Sequence, residues 1–413
     1  MRNVVIVGGG FAGLQAARRL GGAHGVQVTL LDRYNHHVFQ PLLYQVAMAE
    51  LSPADIAVPL RSVLSRHVNV RVYQSDVERV DLKTRQVSAG FGAVSYDFLL
   101  LACGASHTYF GHDDWEPWAP GLKTVEQARE IRRRVLQAYE AAEYTRAPEL
   151  QRQLLTFVIV GGGATGVELA GAIAEMARFT LARDFRNIRP ELTRVVLVEA
   201  GPRLLPALPP VLSAYAARAL AELGVDVRIG SAVTQVTAIG VQLGAQQILA
   251  GTVLWAAGVA AAPVGRTLGV ATDRQGRIIV NADLSLPGHP EVFVAGDLAH
   301  FAHQTGVPLP GIAAVAKQQG RHVAETILAE RTGRARRPFH YRDMGQLATI
   351  GHKRAVAQIG WFRLRGWPAW VVWVFAHIYY LIDFRSRVLV MLAWAWTYVT
   401  HRRGARLILG KSA

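Results

Sequence analysis

Two copies of one short pattern constrain this 413-residue chain more than any other feature. RNVVIVGGGFAGLQAARRL begins at Arg2, and TFVIVGGGATGVELAGAI begins at Thr156. Each is an apolar run, three glycines and then a helix-forming run that contains a further glycine. Gly8, Gly10 and Gly13 fit G-x-G-x-x-G in the first copy, as Gly161, Gly163 and Gly166 do in the second. Glycine at these places permits a tight turn, lets backbone N–H groups approach a pyrophosphate and lets the helix pack close to the strand; the helix N-terminus adds partial positive charge. The run VQVTLLD ends at Asp32, 19 residues past Gly13, where a carboxylate can accept hydrogen bonds from a ribose diol. Arg33 follows and joins the expected cofactor-binding set. In the second copy TRVVLVE closes on Glu199, 33 residues past Gly166, the excess being the insertion RFTLARDFRNIRPEL. Glu199 would repel a 2′-phosphate, so NADH is favoured over NADPH. Two cradles predict an α/β fold with two Rossmann-like dinucleotide-binding domains, one for a resident FAD and one for visiting NADH.

Three further stretches fit that reading. DFLLLACGAS (97–106, with Gly104) and TVLWAAGVAAAP (252–263, with Gly258) are apolar strands ending in small-residue turns, suited to crossing between dinucleotide domains. HPEVFVAGDLAH (289–300) places Asp297 behind a strand and a glycine, where a carboxylate can hold a flavin ribityl hydroxyl. Residues 124–144 read as a connecting helix, with apolar positions at helical spacing. Cys103 is the only cysteine, which excludes internal disulfides, a CxxC redox pair and cysteine-only metal or iron–sulfur sites. His36–His37 and His300/His303 lack further ligands, so no metal is expected. Met1 and Arg2 lead straight into the first strand, from which no signal peptide and a cytoplasmic location are expected.

Charge and aromatic residues concentrate at the other end. Residues 331–413 hold 15 Lys or Arg against Asp343 and Asp383, a balance of 15 − 2 = +13 out of +15 for the chain, and six of the nine tryptophans. Nucleic-acid surfaces mix positive charge with polar residues, whereas this segment mixes it with Trp, Phe, Tyr, Val and Leu, so a membrane surface is expected and nucleic acid is not. The apolar runs 367–382 and 388–399 are 16 and 12 residues long, short of the roughly 20 that a span needs. Two interfacial helices are expected, with Arg363, Arg365, Arg385, Arg387, Arg402, Arg403 and Arg406 available to anionic lipid.

The sequence resembles the type II NADH dehydrogenases, single-chain NADH:quinone oxidoreductases of the two-dinucleotide-binding flavoprotein superfamily that do not pump protons. The likeness rests on the cradles and on NHHVFQPLLYQVA (35–47), VLWAAGV (253–259), VFVAGD (292–297), AAVAKQQG (313–320) and the tail 373–408. It implies that Gln40, Pro41 and Tyr44 lie along the flavin ring and that Glu168 faces the nicotinamide–flavin junction. The stretch 313–318 matches a quinone-pocket pattern of that family with Ala314 in place of its first glutamine and Gln318 keeping the second. His377, alone in an apolar aromatic run, could protonate a quinone or serve as a hydrogen-bonded structural residue. Glu168, Gln318 and His377 form the expected catalytic set. The superfamily's topology implies an FAD domain over 1–115 and 262–330, an NADH domain with its connector over 116–261, and a membrane-anchoring, possible dimer-forming module over 331–413. A peripheral, monotopic homodimer on the cytoplasmic face of the inner membrane, feeding ubiquinone or menaquinone in a respiratory chain, is the expectation. The other readings are a non-catalytic FAD- and NADH-binding redox sensor at the membrane and a soluble ferredoxin- or rubredoxin-reductase-like flavoenzyme.

Overall fold

Strands buried on both faces must be almost wholly apolar, and the runs behind the first cradle are. In the computed structural model, which describes residues 1–400 and 403–408, they form a six-stranded sheet. From edge to edge its order is Ser285–Leu286, His289–Val294, Phe98–Leu101, Arg2–Val7, Val26–Asp32 and Val70–Gln74. Only the first pair is antiparallel. Strand order reverses at Arg2–Val7, where Val4 pairs with both Val28 and Phe98. In an open parallel sheet that switch point leaves a crevice at the strands' carboxyl ends, and Gly8 sits there. The helix Phe11–Leu20 leaves the crevice and crosses Ala313–Arg331 closely: a Cβ on Gly320 would stand 2.0 Å from the carbonyl oxygen of Ala12. Met1–Val38, Ala57–Ser106 and Val259–Asp343 make up this unit.

A second unit comprises Phe39–Ile56, His107–Gly258 and Met344–Ala413. Its four-stranded parallel sheet runs Val225–Arg228, Arg194–Val198, Thr156–Val160 and Thr252–Trp255, and reverses at the strand before the second cradle. The connector is the helix Val125–Tyr144, closed at its start by a reciprocal Thr124–Gln127 capping box. After the cradle helix Ala164–Glu175, the insertion becomes a π-helical turn, Met176–Thr180, and a short 3₁₀ turn, Pro190–Leu192. Those extra turns account for the long spacing to Glu199.

The C-terminal part of this unit begins with an antiparallel three-stranded sheet, Gln346–Thr349, Ala355–Ile359 and Phe362–Gly366, which the sequence pattern did not announce. The helices Trp367–Tyr380 and Phe384–Thr400 follow. Asp383, which interrupts the apolar run, accepts a hydrogen bond from the Ser386 N–H at 2.6 Å and so caps the second helix. Arg387 donates to the carbonyls of Leu381 and Tyr379, closing the end of the first. No helix among the described residues is long and apolar enough to cross a membrane. Arg402 lies outside the described residues.

Candidate functional site

The two cradles are alike in backbone and in the reason for each glycine. Gly8 has φ +105° and Gly161 φ +113°, a region costly to any side chain, and their Cβ atoms would meet the backbone of Ala102 and Ala256. At Gly13 and Gly166 a Cβ would lie 1.8 Å from the carbonyl oxygen of Gly8 and Gly161 respectively. The middle positions differ. Gly10 and Gly163 have φ −69° and −71°, and no protein atom stands within 4 Å of a Cβ built there. Packing within the protein does not explain glycine at these two places, and the space a side chain would fill is open to a ligand lying against the backbone. The first N–H groups of the following helix have no intrahelical partners. Both cradles therefore fit a bound pyrophosphate.

Each acid holds its own cradle. Asp32 accepts from the N–H groups of Gly9 at 2.5 Å and Tyr34 at 2.7 Å, and burial raises its pKa against those bonds. Glu199 accepts from Gly162 at 2.5 Å and Gly201 at 2.6 Å. Arg33 pairs with Asp76 at 3.1 Å in a largely exposed contact of small energetic weight. A cavity of about 640 Å³ opens over the second cradle, lined by Gly161, Gly163, Glu199 and Gly258 among others. In the first unit Gly104 and Gly296 take φ +70° and +73°. Gln319 accepts from the Gly296 N–H at 2.7 Å, and the carboxylate of Asp297 makes no hydrogen bond among the described residues. Gln318 is engaged on both sides of its amide by the backbone of Arg342, donating at 2.9 Å and accepting at 3.0 Å.

The remaining expected residues belong to the second unit. Gln40 and Pro41 form a single 3₁₀ turn leading into the helix Leu43–Ala47, which carries Tyr44. Arg132 is buried within the connector helix and donates to the carbonyls of Val46 and Leu51 at 2.8 Å and of Ala405 at 3.1 Å, while Arg403 donates to Met48 at 2.9 Å. These two guanidinium groups satisfy the backbone where residues 46–51 end their short helix and turn. Glu168, 9% exposed, accepts a backbone hydrogen bond from Thr349 of the C-terminal sheet. Burial outweighs that bond and pushes its pKa up to about 8, so it holds a proton at neutral pH. His377 stacks on Trp373 at 4.1 Å and donates from Nδ1 to the Trp373 carbonyl at 2.8 Å. Burial lowers its pKa to about 4; the ring is neutral and its Nε2 is left as an acceptor.

Tyr44 and Glu168 line a cavity of about 660 Å³ with predominantly apolar walls, formed with the tail helices through Trp370, Trp373 and Trp394. Glu50 and Glu175 line it too, residues that the sequence reading did not single out. Glu175 accepts from the His352 N–H, and burial raises its pKa to about 7; Glu50 is shifted upward by burial against the opposing charge of Arg403. Glu175 stands seven residues, two helical turns, after Glu168, a spacing that puts both on one face and could have signalled it.

Two parallel sheets, each with a pyrophosphate cradle at its switch point, define a flavoprotein oxidoreductase of the two-dinucleotide class. The family profile of pyridine nucleotide-disulphide oxidoreductases matches residues 2–320, and that of the NDH2 C-terminal domain matches residues 344–403. The type II NADH:quinone oxidoreductase Ndh of Mycobacterium tuberculosis is 42% identical over 99% of this chain and 91% of its own length; NdhA of the same organism is 41% identical over 98% and 89%. The chain belongs to the type II NADH:quinone oxidoreductases. Among solved structures, NDH2 from Plasmodium falciparum in complex with NADH superposes with a TM-score of 0.90 at 18% identity, covering 99% of this chain and all of that one. The sulfide:quinone oxidoreductase of Aquifex aeolicus follows the same fold at 0.76, with 18% identity and coverage of 94% and 92%. The chain is thus an enzyme of the NADH:quinone class that uses FAD and NADH.

Proposed function

We propose that the second cradle takes NADH, the first holds FAD, and the tail-side cavity admits the head of a membrane quinone. The observation that carries dinucleotide binding at both cradles is the pair of middle glycines, Gly10 and Gly163, where a side chain would enter open space and meet no protein atom. FAD supplies the two-electron chemistry between NADH and the quinone. The residues bind, orient and exclude water. Asp32 and Glu199 stiffen their cradles and offer carboxylate edges to ribose hydroxyls. Asp297, with its carboxylate unengaged, suits a ribityl hydroxyl. Glu168 keeps a proton on its carboxyl beside the cavity, placed to supply a quinone oxygen as electrons arrive.

The same reading extends to the membrane. Phe375, Tyr379, Phe384, Leu392, Trp396 and Val399 are 60–79% exposed on the two tail helices, an apolar surface unusual for a protein bathed only in water. Arg365, Arg385 and Arg387 accompany it. The tail helices lie in the headgroup region of an anionic membrane, on the cytoplasmic face where basic residues gather, and bring the cavity to the bilayer in which quinones dissolve. Assembly as a homodimer is part of the proposal, checked by light scattering in detergent.

The central test is optical. The purified protein should be yellow; anaerobic NADH should bleach the flavin band and a quinone should restore it. A colourless protein, or a yellow one indifferent to NADH, refutes the assignment.

A further inference from the structure

A directed hydrogen-bond chain runs from the last tail helix to the helix Leu43–Ala47. The indole N–H of Trp394 donates to Oε1 of Gln45 at 2.8 Å, and Nε2 of Gln45 donates to the hydroxyl oxygen of Tyr44 at 3.0 Å. The direction is not a choice. An indole nitrogen only donates, so the Gln45 oxygen must face Trp394 and its NH₂ must face Tyr44. The Tyr44 oxygen is then occupied as an acceptor, and its own hydrogen points away from Gln45. Tyr44 is 5% exposed, and among the described residues its hydroxyl makes no hydrogen bond besides the one it accepts from Gln45. A buried hydroxyl hydrogen left without an acceptor costs about 1–3 kcal/mol, and such groups are rare unless a ligand or water completes them.

A second unengaged donor belongs to the residues lining this cavity. Trp373 is 2% exposed, lines the same cavity, and its indole N–H has no partner. Protonated Glu168 adds a third hydrogen to be donated. These unengaged donors fit a ligand that presents acceptors to them, and a quinone, with two carbonyl oxygens and no N–H or O–H, is of that kind.

We propose that Tyr44 donates its phenolic hydrogen bond to a carbonyl oxygen of the quinone, and that Gln45 and Trp394 are positioning residues that hold the hydroxyl in that direction. The inference rests on the placement of the quinone in the tail-side cavity. No proton is transferred from Tyr44: burial raises its pKa well above the ordinary tyrosine value, and the Glu168 carboxylate, once ionised at higher pH, raises it further.

The test uses the full-length holoenzyme with NADH and a short-chain, water-soluble ubiquinone. Tyr44→Phe raises the quinone KM about tenfold relative to the NADH KM, the effect of one hydrogen bond to a carbonyl of about 1.4 kcal/mol. Trp394→Phe leaves the ring packing in place but frees the Gln45 amide to turn its oxygen toward Tyr44. It raises the same ratio about threefold alone and adds nothing in the Tyr44→Phe background, because the two act through one hydrogen. A ratio within twofold of wild type for Tyr44→Phe, or independent multiplication of the two effects, overturns the inference. Ala395→Trp separates this from the underlying placement: Ala395 is exposed on the cavity's rim, and a bulky ring there obstructs entry. If Ala395→Trp raises the quinone KM and Tyr44→Phe does not, the hydrogen bond is wrong and the cavity stands. If neither moves it, the placement of the quinone fails and the inference falls with it.

Discussion

Gly163→Ala isolates what a ligand, as opposed to the fold, requires of the second cradle. Gly163 is the N-cap of the helix Ala164–Glu175, with φ −71° and ψ −178°, a conformation open to alanine. A Cβ there meets no atom within 4 Å. Alanine is a poorer N-cap than glycine by roughly 0.5–1 kcal/mol, while the loss of unfolded-chain freedom returns about 0.4–1 kcal/mol. The folded protein therefore changes by less than about 1 kcal/mol. NADH fares differently, because the new methyl group occupies the space over which backbone N–H groups reach a pyrophosphate. Displacing the anion from one charge-assisted hydrogen bond costs about 1.5–3 kcal/mol, an increase of roughly tenfold to a hundredfold in the NADH KM. The assay is a steady-state NADH titration beside a thermal melt and the flavin-to-protein absorbance ratio. Melting temperature and flavin content should stay near wild type. Gly10→Ala should reverse the pattern, losing flavin at near-normal stability. Gly166→Ala is the structural control: its Cβ would stand 1.8 Å from the Gly161 carbonyl oxygen, so folding suffers first. A Gly163→Ala enzyme with an NADH KM within twofold of wild type would refute the reasoning that the middle glycine is shaped by the nucleotide.

Glu168→Gln should change how stability depends on pH. The native carboxyl titrates near 8 against 4.5 in the unfolded chain, so the folded state holds one extra proton between those values and wild-type stability falls as pH rises from about 4.5 to 8. Glutamine removes that slope, and the melting-temperature difference between variant and wild type should grow in the variant's favour between pH 5 and pH 8.5; a constant difference would mean that Glu168 is ionised in the fold. Arg132→Leu strands the carbonyls of Val46, Leu51 and Ala405 and should cost about 3–5 kcal/mol, read as a lower melting temperature and faster proteolysis of the tail. Phe375→Glu, Tyr379→Glu and Trp396→Glu together should move the protein from the liposome fraction to the soluble fraction in a flotation assay with anionic vesicles, leaving flavin content unchanged; persistent flotation would defeat the proposed lipid surface. Replacing Glu199 by Gln with Arg at Ala200 should narrow the NADH preference over NADPH, measured as the ratio of the two kcat/KM values.

The sequence by itself determined both cradles, because their geometry is local: glycines five residues apart meet across one turn, as Gly8 and Gly13 do, and two apolar runs on either side can only be buried parallel strands. It determined the tail helices as well, since the apolar runs and their interruption at Asp383 are legible without any neighbour. It also marked Glu168, Tyr44 and His377 as residues of interest. It did not show that Gln318 spends both ends of its amide on Arg342, or that His377 turns its proton toward the Trp373 carbonyl. Nor did it announce the sheet 346–366, whose Thr349 N–H reaches Glu168 across more than 180 positions. The tail-side cavity is the clearest case of what only the tertiary structure decided. Its walls come from residues 44–50, 168–180, Leu223, 349–354, 370–378, 391–398 and Arg403, and the direction of Tyr44's hydrogen is set by an indole 350 positions away. Periodicity and motif spacing report the backbone of one segment, whereas a donor left without an acceptor, or a carboxyl held neutral by burial, exists only once distant segments have excluded water together.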